Sequence, residues 1–151
     1  MTEQRNLTVY LDRADIELIH SLVSESWKEN GEPVPPFTTA NEHNLDAFIK
    51  LPKSDYFGVE QYPTLESKAA IIFYTLNKKH LFLNGNKRIS VACLIIFLFI
   101  NGKRLGATPD EMTIKALELA KTSFDHDFDA IKKDLAEWIR GKLEEYPLIV
   151  T

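Results

Sequence analysis

The sequence predicts an all-α protein of about six helices, arranged around a central buried helix at residues 87–101. Apolar residues recur at helical spacing in most segments, and several of these segments follow a helix-start sequence such as Thr108-Pro109-Asp110-Glu111. The run from Val91 to Ile100 is apolar on every side, which is typical of a helix that other helices surround.

The first two predicted helices lie on either side of a proline-containing loop at residues 31–40. Asp12 suits the N-cap of the first helix, with Asp15 three positions later as in a capping box. One face of this helix is apolar and consists of Ile16, Ile19, Leu22, Val23 and Trp27. Residues 41–51 form the second, shorter helix, which Pro52 ends.

Residues 53–63 have no helical period, and we predict that they are extended or form a small hairpin with exposed aromatics. A loop folded over the core is favoured here over a flap that docks a partner. Thr64 then begins the third helix as its N-cap, with Ser67 at N3, and this helix ends just before His80. The central helix ends at Asn101-Gly102, a common C-terminal cap.

The two remaining helices complete the predicted domain. One begins at Thr108, and the other begins around residues 125–127 and ends at Tyr146-Pro147. The inward face of the last helix consists of Phe128, Ile131, Leu135, Trp138 and Ile139. A short apolar tail at residues 148–151 is expected to pair or pack.

Length, charge and hydrophobic content limit the classes of protein to which this chain can belong. A chain of 151 residues with 44% hydrophobic content predicts one domain over residues 1–151. The net charge of -4 argues against a general nucleic-acid binder, and the apolar run is too short to span a membrane. No signal peptide is visible, so a cytoplasmic protein is predicted, with the single cysteine, Cys93, buried in the apolar run.

The junction at residues 80–88, His-Leu-Phe-Leu-Asn-Gly-Asn-Lys-Arg, departs from ordinary helix-start chemistry. Lys87 and Arg88 place positive charges in the first turn of a helix, where the aligned backbone dipoles already make the end positive. An anion would offset this charge, because backbone N–H groups and Gly85, which allows close approach, lie at the same place. The junction therefore predicts a phosphate-binding site.

The side chains of the junction have candidate roles in such a site. His80 is the candidate general base, because an imidazole titrates near neutral pH. Arg88 can hold a phosphate through two parallel N–H bonds, and Lys87 adds a compact charge. Asn84 offers either an oxygen or an amide N–H, and Asn86 either caps the helix or binds phosphate. These roles predict phosphoryl-type transfer or hydrolysis.

The pattern His80-x-Phe82-x-Asn84-Gly85-Asn86-Lys87-Arg88 resembles the motif of the Fic/Doc family (filamentation induced by cAMP, death on curing), whose usual form is H-x-F-x-[D/E]-[G/A]-N-[G/K]-R. The flanking sequences are similar to those of Doc-like members, so the resemblance covers roughly residues 40 to 140. These flanking sequences are Tyr62-Pro63-Thr64-Leu65-Glu66-x-Lys68-Ala69-Ala70 and Phe97-Leu98-x-x-Asn101-Gly102.

This resemblance implies a helical domain that transfers AMP or phosphate from ATP to a Ser, Thr or Tyr hydroxyl of a protein target. It implies that His80 activates the hydroxyl, that backbone N–H groups around Gly85 and Asn86 form an anion hole, and that Arg88 contacts phosphate. It also implies that residues 56–62 form a flap that registers the target.

Three further positions bear on the branch of the family and its regulation. Lys87 resembles the Doc branch, whose best-known type transfers phosphate and whose members are often toxins silenced by an antitoxin. Some Fic proteins instead contain an inhibitory helix with the pattern [S/T]-x-x-x-E-[G/N]. The nearest match, Ser21 to Glu25, is followed by Ser26 and is interpreted as chance, so a silencing partner is expected to be a separate chain.

Asn84 is the main departure from the family pattern, because the usual carboxylate at this position holds Mg²⁺ against the phosphates. An asparagine keeps an oxygen ligand but removes the charge, which weakens a magnesium site. Two functions therefore remain open: an active transferase, and an attenuated module that binds nucleotide or protein. The other histidines, His20, His43 and His126, show no paired metal-ligand spacing and are assigned no site.

Overall fold

The computed structural model describes residues 7–29, 42–79, 81–82, 85–122 and 128–146. Its architecture is all-α with two small two-stranded antiparallel sheets, so the predicted fold class is confirmed. The helices are α1 (Arg13–Glu29), α2 (Glu42–Lys50), α3 (Leu65–Lys78), α4 (Asn86–Ile100), α5 (Pro109–Lys121) and α6 (Phe128–Lys142). The strands are β1 (Asp55–Tyr56), β2 (Val59–Glu60), β3 (Lys103–Leu105) and β4 (Leu143–Glu145), and a 3-10 turn spans Leu51–Lys53.

Three of the predicted helix starts, at Asp12, Thr64 and Thr108, are confirmed by their hydrogen bonds. Thr64 and Thr108 each accept a bond from the backbone N–H three residues later, and the side chain at that third position bonds back to the cap. Asp12 and Asp15 form the same reciprocal pair at α1, with N···O distances of 2.8 and 2.9 Å. Each box satisfies N–H groups that a helix start would otherwise leave unpaired.

The core lies between α3 and α4. Every residue of α3 from Lys68 to Lys78 is buried, because α4, α5, α6 and the 3-10 turn cover it on all sides. The predicted central helix at 87–101 is observed at 86–100 and shares this central place with α3. It is less enclosed than its composition suggests, since Ile95 and Phe99 remain exposed.

Residues 55–60 form a β-hairpin, one of the two forms predicted for this segment. Tyr56 pairs with Val59, so Phe57 and Gly58 make a two-residue turn. All three apolar side chains of the hairpin, Tyr56, Phe57 and Val59, are exposed. The expectation of a loop folded over the core is therefore wrong for this segment, and only Tyr62, beyond the hairpin, is buried.

The C-terminal region differs from the prediction. Helix α6 ends at Lys142 and not at Tyr146, and residues 143–145 pair as β4 with β3, a strand that was not predicted. Lys103 lies opposite Glu145 and Arg104 opposite Glu144, and both pairs form salt bridges. These cross-strand contacts override the helical preference of a Leu-Glu-Glu sequence. The predicted helix start at 125–127 and the tail at 148–151 lie outside the described residues.

The N-terminal lead-in is attached to the far end of α4. The Asn101 side chain accepts a hydrogen bond from the Val9 N–H (2.8 Å) and donates one to the Val9 carbonyl (2.9 Å). Gly102, with φ of 76°, follows Asn101 in the left-handed conformation, so the predicted C-terminal cap is confirmed. None of the helices in the described part of the chain is long and apolar enough to cross a membrane.

Candidate active site

The start of α4 forms the positively charged part of the site. Gly85 is the N-cap residue and has φ of 78°, a left-handed conformation in which a side chain would be strained. Its carbonyl accepts the first helical hydrogen bond, from the Ile89 N–H at 2.9 Å. Lys87 and Arg88 follow in the first turn and are exposed, and that turn contains no acidic residue. The helix N-terminus and both cations therefore favour an anion at this place.

Asn86 is the first residue of α4 and not its cap, so the alternative that Asn86 caps the helix is wrong. Its buried amide closes a ring with the backbone of Phe82. The amide oxygen accepts from the Phe82 N–H at 3.0 Å, and the amide N–H donates to the Phe82 carbonyl at 2.9 Å. The side chain thus fixes the end of the loop that leads into α4.

The other end of this loop is fixed where α3 meets α5. The buried ammonium of Lys78 donates to the Leu119 carbonyl (3.0 Å), to the Thr122 hydroxyl (2.7 Å) and to the Thr122 carbonyl. The Asn77 side chain donates to the Ala116 carbonyl at 3.1 Å. These acceptors belong to the C-terminal end of α5, where the helix dipole favours a cation.

His80 and Asn84, the predicted base and metal ligand, lie outside the described residues. On the two sides of His80 in the sequence, Lys78 is bonded to α5, and Leu81 and Phe82 are buried. The loop between α3 and α4 is therefore attached to the core on both sides of His80.

His20, to which the sequence assigned no site, contacts the motif. Its ring is buried and lies 5.2 Å from the ring of Phe82, centroid to centroid. Burial lowers the pKa of His20 from its ordinary value of 6.5. The position could have been found from its spacing, since residue 20 follows Ile16 by four positions and lies on the inward face of α1.

An apolar groove of about 230 Å³ runs between α1 and α4 and reaches Arg88. Its lining consists of Ile19, Leu22, Val23, Ser26, Arg88, Ala92 and Ile96. Arg88 therefore borders both the predicted anion site and the groove. Ser21 and Glu25, the nearest match to an inhibitory pattern, are exposed on α1, and the Ser21 hydroxyl donates to the Glu17 carbonyl at 3.0 Å.

The first turn of α4 offers no carboxylate to a Mg²⁺ ion. Within residues 7–29, 42–79, 81–82, 85–122 and 128–146, no group of three or more Asp, Glu, His or Cys side chains could hold a metal ion. Mg²⁺ binds proteins mainly through carboxylates, and the start of α4 supplies only cations.

The sequence profile of the Fic/DOC family matches residues 10–98. The chain belongs to the Fic/Doc family. The match begins before α1, well ahead of the residue 40 expected from the motif, and ends within α4. Toxin Doc of Mycolicibacterium smegmatis is 34% identical over 130 residues, which cover 86% of this chain and 93% of that protein. No solved structure gives a significant match.

The described residues at the start of α4 coincide with positions of the Fic/Doc motif. The left-handed Gly85, the buried Asn86 and the exposed Lys87 and Arg88 are all part of the Fic/Doc motif. The asparagine amide is bonded to Phe82, so the motif ties its own phenylalanine to the start of the helix.

Proposed function

We propose that this protein is a Fic/Doc-type transferase that moves AMP or phosphate from ATP to a hydroxyl side chain of a protein target. The observation that carries the proposal is the start of α4, where Gly85 is left-handed and Lys87 and Arg88 are exposed at the positive helix end. A nucleotide phosphate is the anion that suits these donors.

In the proposed reaction, the target hydroxyl attacks the α-phosphorus of ATP and releases pyrophosphate, or attacks the γ-phosphorus and releases ADP. His80 takes the hydroxyl proton as general base. The phosphate charge is stabilised by Arg88, by Lys87 and by the backbone N–H groups of Gly85 and Asn86. The side-chain amide of Asn86 takes no part, because it is already bonded to Phe82. Phosphoryl transfer depends largely on positioning, and the attachment of the loop on both sides of His80 supports that role.

The hairpin β1–β2 is the proposed flap that registers the target. It exposes three apolar side chains and precedes α3, the helix that leads to His80. An apolar surface bordered by unpaired strand edges suits an extended segment of a protein.

We further propose that the protein acts in the cytoplasm as the toxin of a toxin–antitoxin pair, as the name of its mycobacterial relative, Toxin Doc, suggests. A separate antitoxin protein would then silence it. The groove between α1 and α4 supports this proposal, because a segment seated in it would reach Arg88 and compete with phosphate.

The test is incubation of the purified protein with a bacterial lysate and ATP labelled at either the α- or the γ-phosphate. AMP transfer labels a lysate protein only from the α position, and phosphate transfer only from the γ position. His80→Ala should abolish labelling, and His43→Ala, a change at an exposed histidine on α2, should leave it unchanged. Equal labelling by wild type and His80→Ala, or none by either, would contradict the proposal.

A second candidate function is an attenuated module that binds nucleotide without turnover. Asn84, in place of the family carboxylate, favours it. This module would bind ATP equally well with and without Mg²⁺ in calorimetry, and Asn84→Asp would make binding depend on Mg²⁺. Binding by the wild-type protein that already requires Mg²⁺ would rule it out.

A further inference from the structure

Helix α1 contributes a buried histidine that lies against the loop between α3 and α4. The His20 side chain is 3% exposed, and its ring centroid is 5.2 Å from the ring centroid of Phe82, with the two planes tilted by 49°. Aromatic rings at such a separation attract each other beyond the effect of burial alone. Phe82 is 2% exposed, so water does not compete for this contact.

Phe82 is the residue at which two helices hold this loop. Its backbone N–H and carbonyl are both bonded to the side-chain amide of Asn86 on α4, at 3.0 and 2.9 Å. Its ring contacts His20 on α1. His80, the proposed base, precedes Phe82 by only two residues in the sequence, so a displacement of Phe82 also displaces the chain to which the base belongs.

Space filling alone does not explain a histidine at position 20. Burial disfavours the charged form of the ring and lowers its pKa, and the polar ring nitrogens need partners. A leucine would fill the space without either requirement. The Nδ1 atom of His20 lies 3.4 Å from the Ser24 hydroxyl, one turn later on α1, which favours one orientation of the ring. An oriented planar ring gives Phe82 a better defined contact than a flexible aliphatic side chain.

We propose that His20 is a positioning residue for the transfer reaction, which acts through Phe82 on the loop that contains His80. The inference rests on the proposed transferase function and adds to it a residue outside the motif. Because His20 acts on the position of the base and not on ATP, its loss should lower kcat and leave the KM for ATP nearly unchanged. A displacement of about 1 Å at a catalytic group can lower the rate about a hundred-fold.

The experiment compares two replacements of His20 in the labelling assay with ATP and bacterial lysate. His20→Phe keeps a ring beside Phe82, whereas His20→Leu fills the space without a ring. His20→Leu should lower the labelling rate at saturating ATP about ten-fold or more, and His20→Phe should keep at least about half of it. In both variants the KM for ATP should stay within about two-fold of wild type. Equal losses in the two variants would assign the effect to the ring nitrogens and overturn the ring contact.

Stability and hydrogen exchange separate positioning from a general loss of structure. His20→Leu should keep a Tm within about 4 °C of wild type, because an apolar side chain suits the buried site. Ile139→Val, a change at a fully buried residue of α6, is the control, and it should lower Tm without lowering kcat. Slower labelling by Ile139→Val in proportion to its Tm would show that stability alone sets the rate, and would overturn the proposal.

Exchange of the Phe82 N–H, followed by NMR without ATP, tests the loop independently of activity. It should be about ten-fold faster in His20→Leu than in wild type, because the loop opens more often when one of its two attachments is lost. Unchanged exchange would overturn the proposal. Faster exchange with wild-type labelling would overturn the positioning role and leave the transferase intact. A wild-type protein that labels nothing refutes the transfer reaction and the positioning role with it.

Discussion

Replacement of Asn86 by alanine tests whether its amide holds the motif loop in place. Two buried hydrogen bonds to Phe82, of 3.0 and 2.9 Å, would be lost, which leaves one N–H and one C=O without their partner. An unpaired buried polar group costs about 1–3 kcal/mol, and partial relaxation is expected. We therefore expect Asn86→Ala to lower the free energy of unfolding by about 2–4 kcal/mol.

The assay is urea denaturation in the absence of nucleotide, so that ligand contacts play no part. Lys87→Ala is the matched control, because it removes an exposed cation from the positive end of the same helix and should raise stability by a few tenths of a kcal/mol. A loss below about 0.5 kcal/mol for Asn86→Ala would refute the structural role, since that is the usual range for surface substitutions.

Three further predictions concern other buried groups. Lys68→Met should destabilise the fold by about 2–4 kcal/mol, because the buried carbonyls of Pro52 and Tyr62 lose the Lys68 ammonium as their donor. Hydrogen exchange at residues 54–61 should become faster, and unchanged exchange would disprove that Lys68 holds the β1–β2 hairpin in place. Burial raises the pKa of Cys93 to about 12, so iodoacetamide at pH 8 should modify it only in denaturant, and rapid modification of the native protein would contradict this. Burial lowers the pKa of His20, so the wild-type protein should lose stability as pH falls through 6.5. In urea melts at several pH values, His20→Phe should lose less stability over this range. Parallel curves for the two proteins would show that His20 does not contribute to the pH dependence of stability.

Local chemistry explains why most helices were predictable. The capping boxes at Thr64 and Thr108 act over three residues, and apolar spacing acts over one or two turns, so both can be read from adjacent sequence. The grouping of Gly85, Lys87 and Arg88 at the start of α4 was predictable for the same reason, since these residues are near neighbours in the sequence.

Contacts between distant segments were not predictable in this way. Strand β4 depends on β3, about forty residues earlier, and its own sequence favours a helix. Lys78 is buried because the C-terminal end of α5 supplies three oxygen atoms to its ammonium, and the sequence around Lys78 does not show this contact. The spacing of His20 from Ile16 indicates an inward position, but its contact with Phe82 arises only from the tertiary packing of α1.

The paired hydrogen bonds between Val9 and Asn101 have a consequence for the order of folding. They join residues 92 positions apart, so the intervening chain must already be compact before the two groups meet without a large loss of entropy. Contacts of such long sequence separation generally slow folding and are favoured only after local helices have formed. The N-terminal lead-in is therefore expected to join the protein late, and loss of the Asn101 side chain should speed unfolding more than it slows folding.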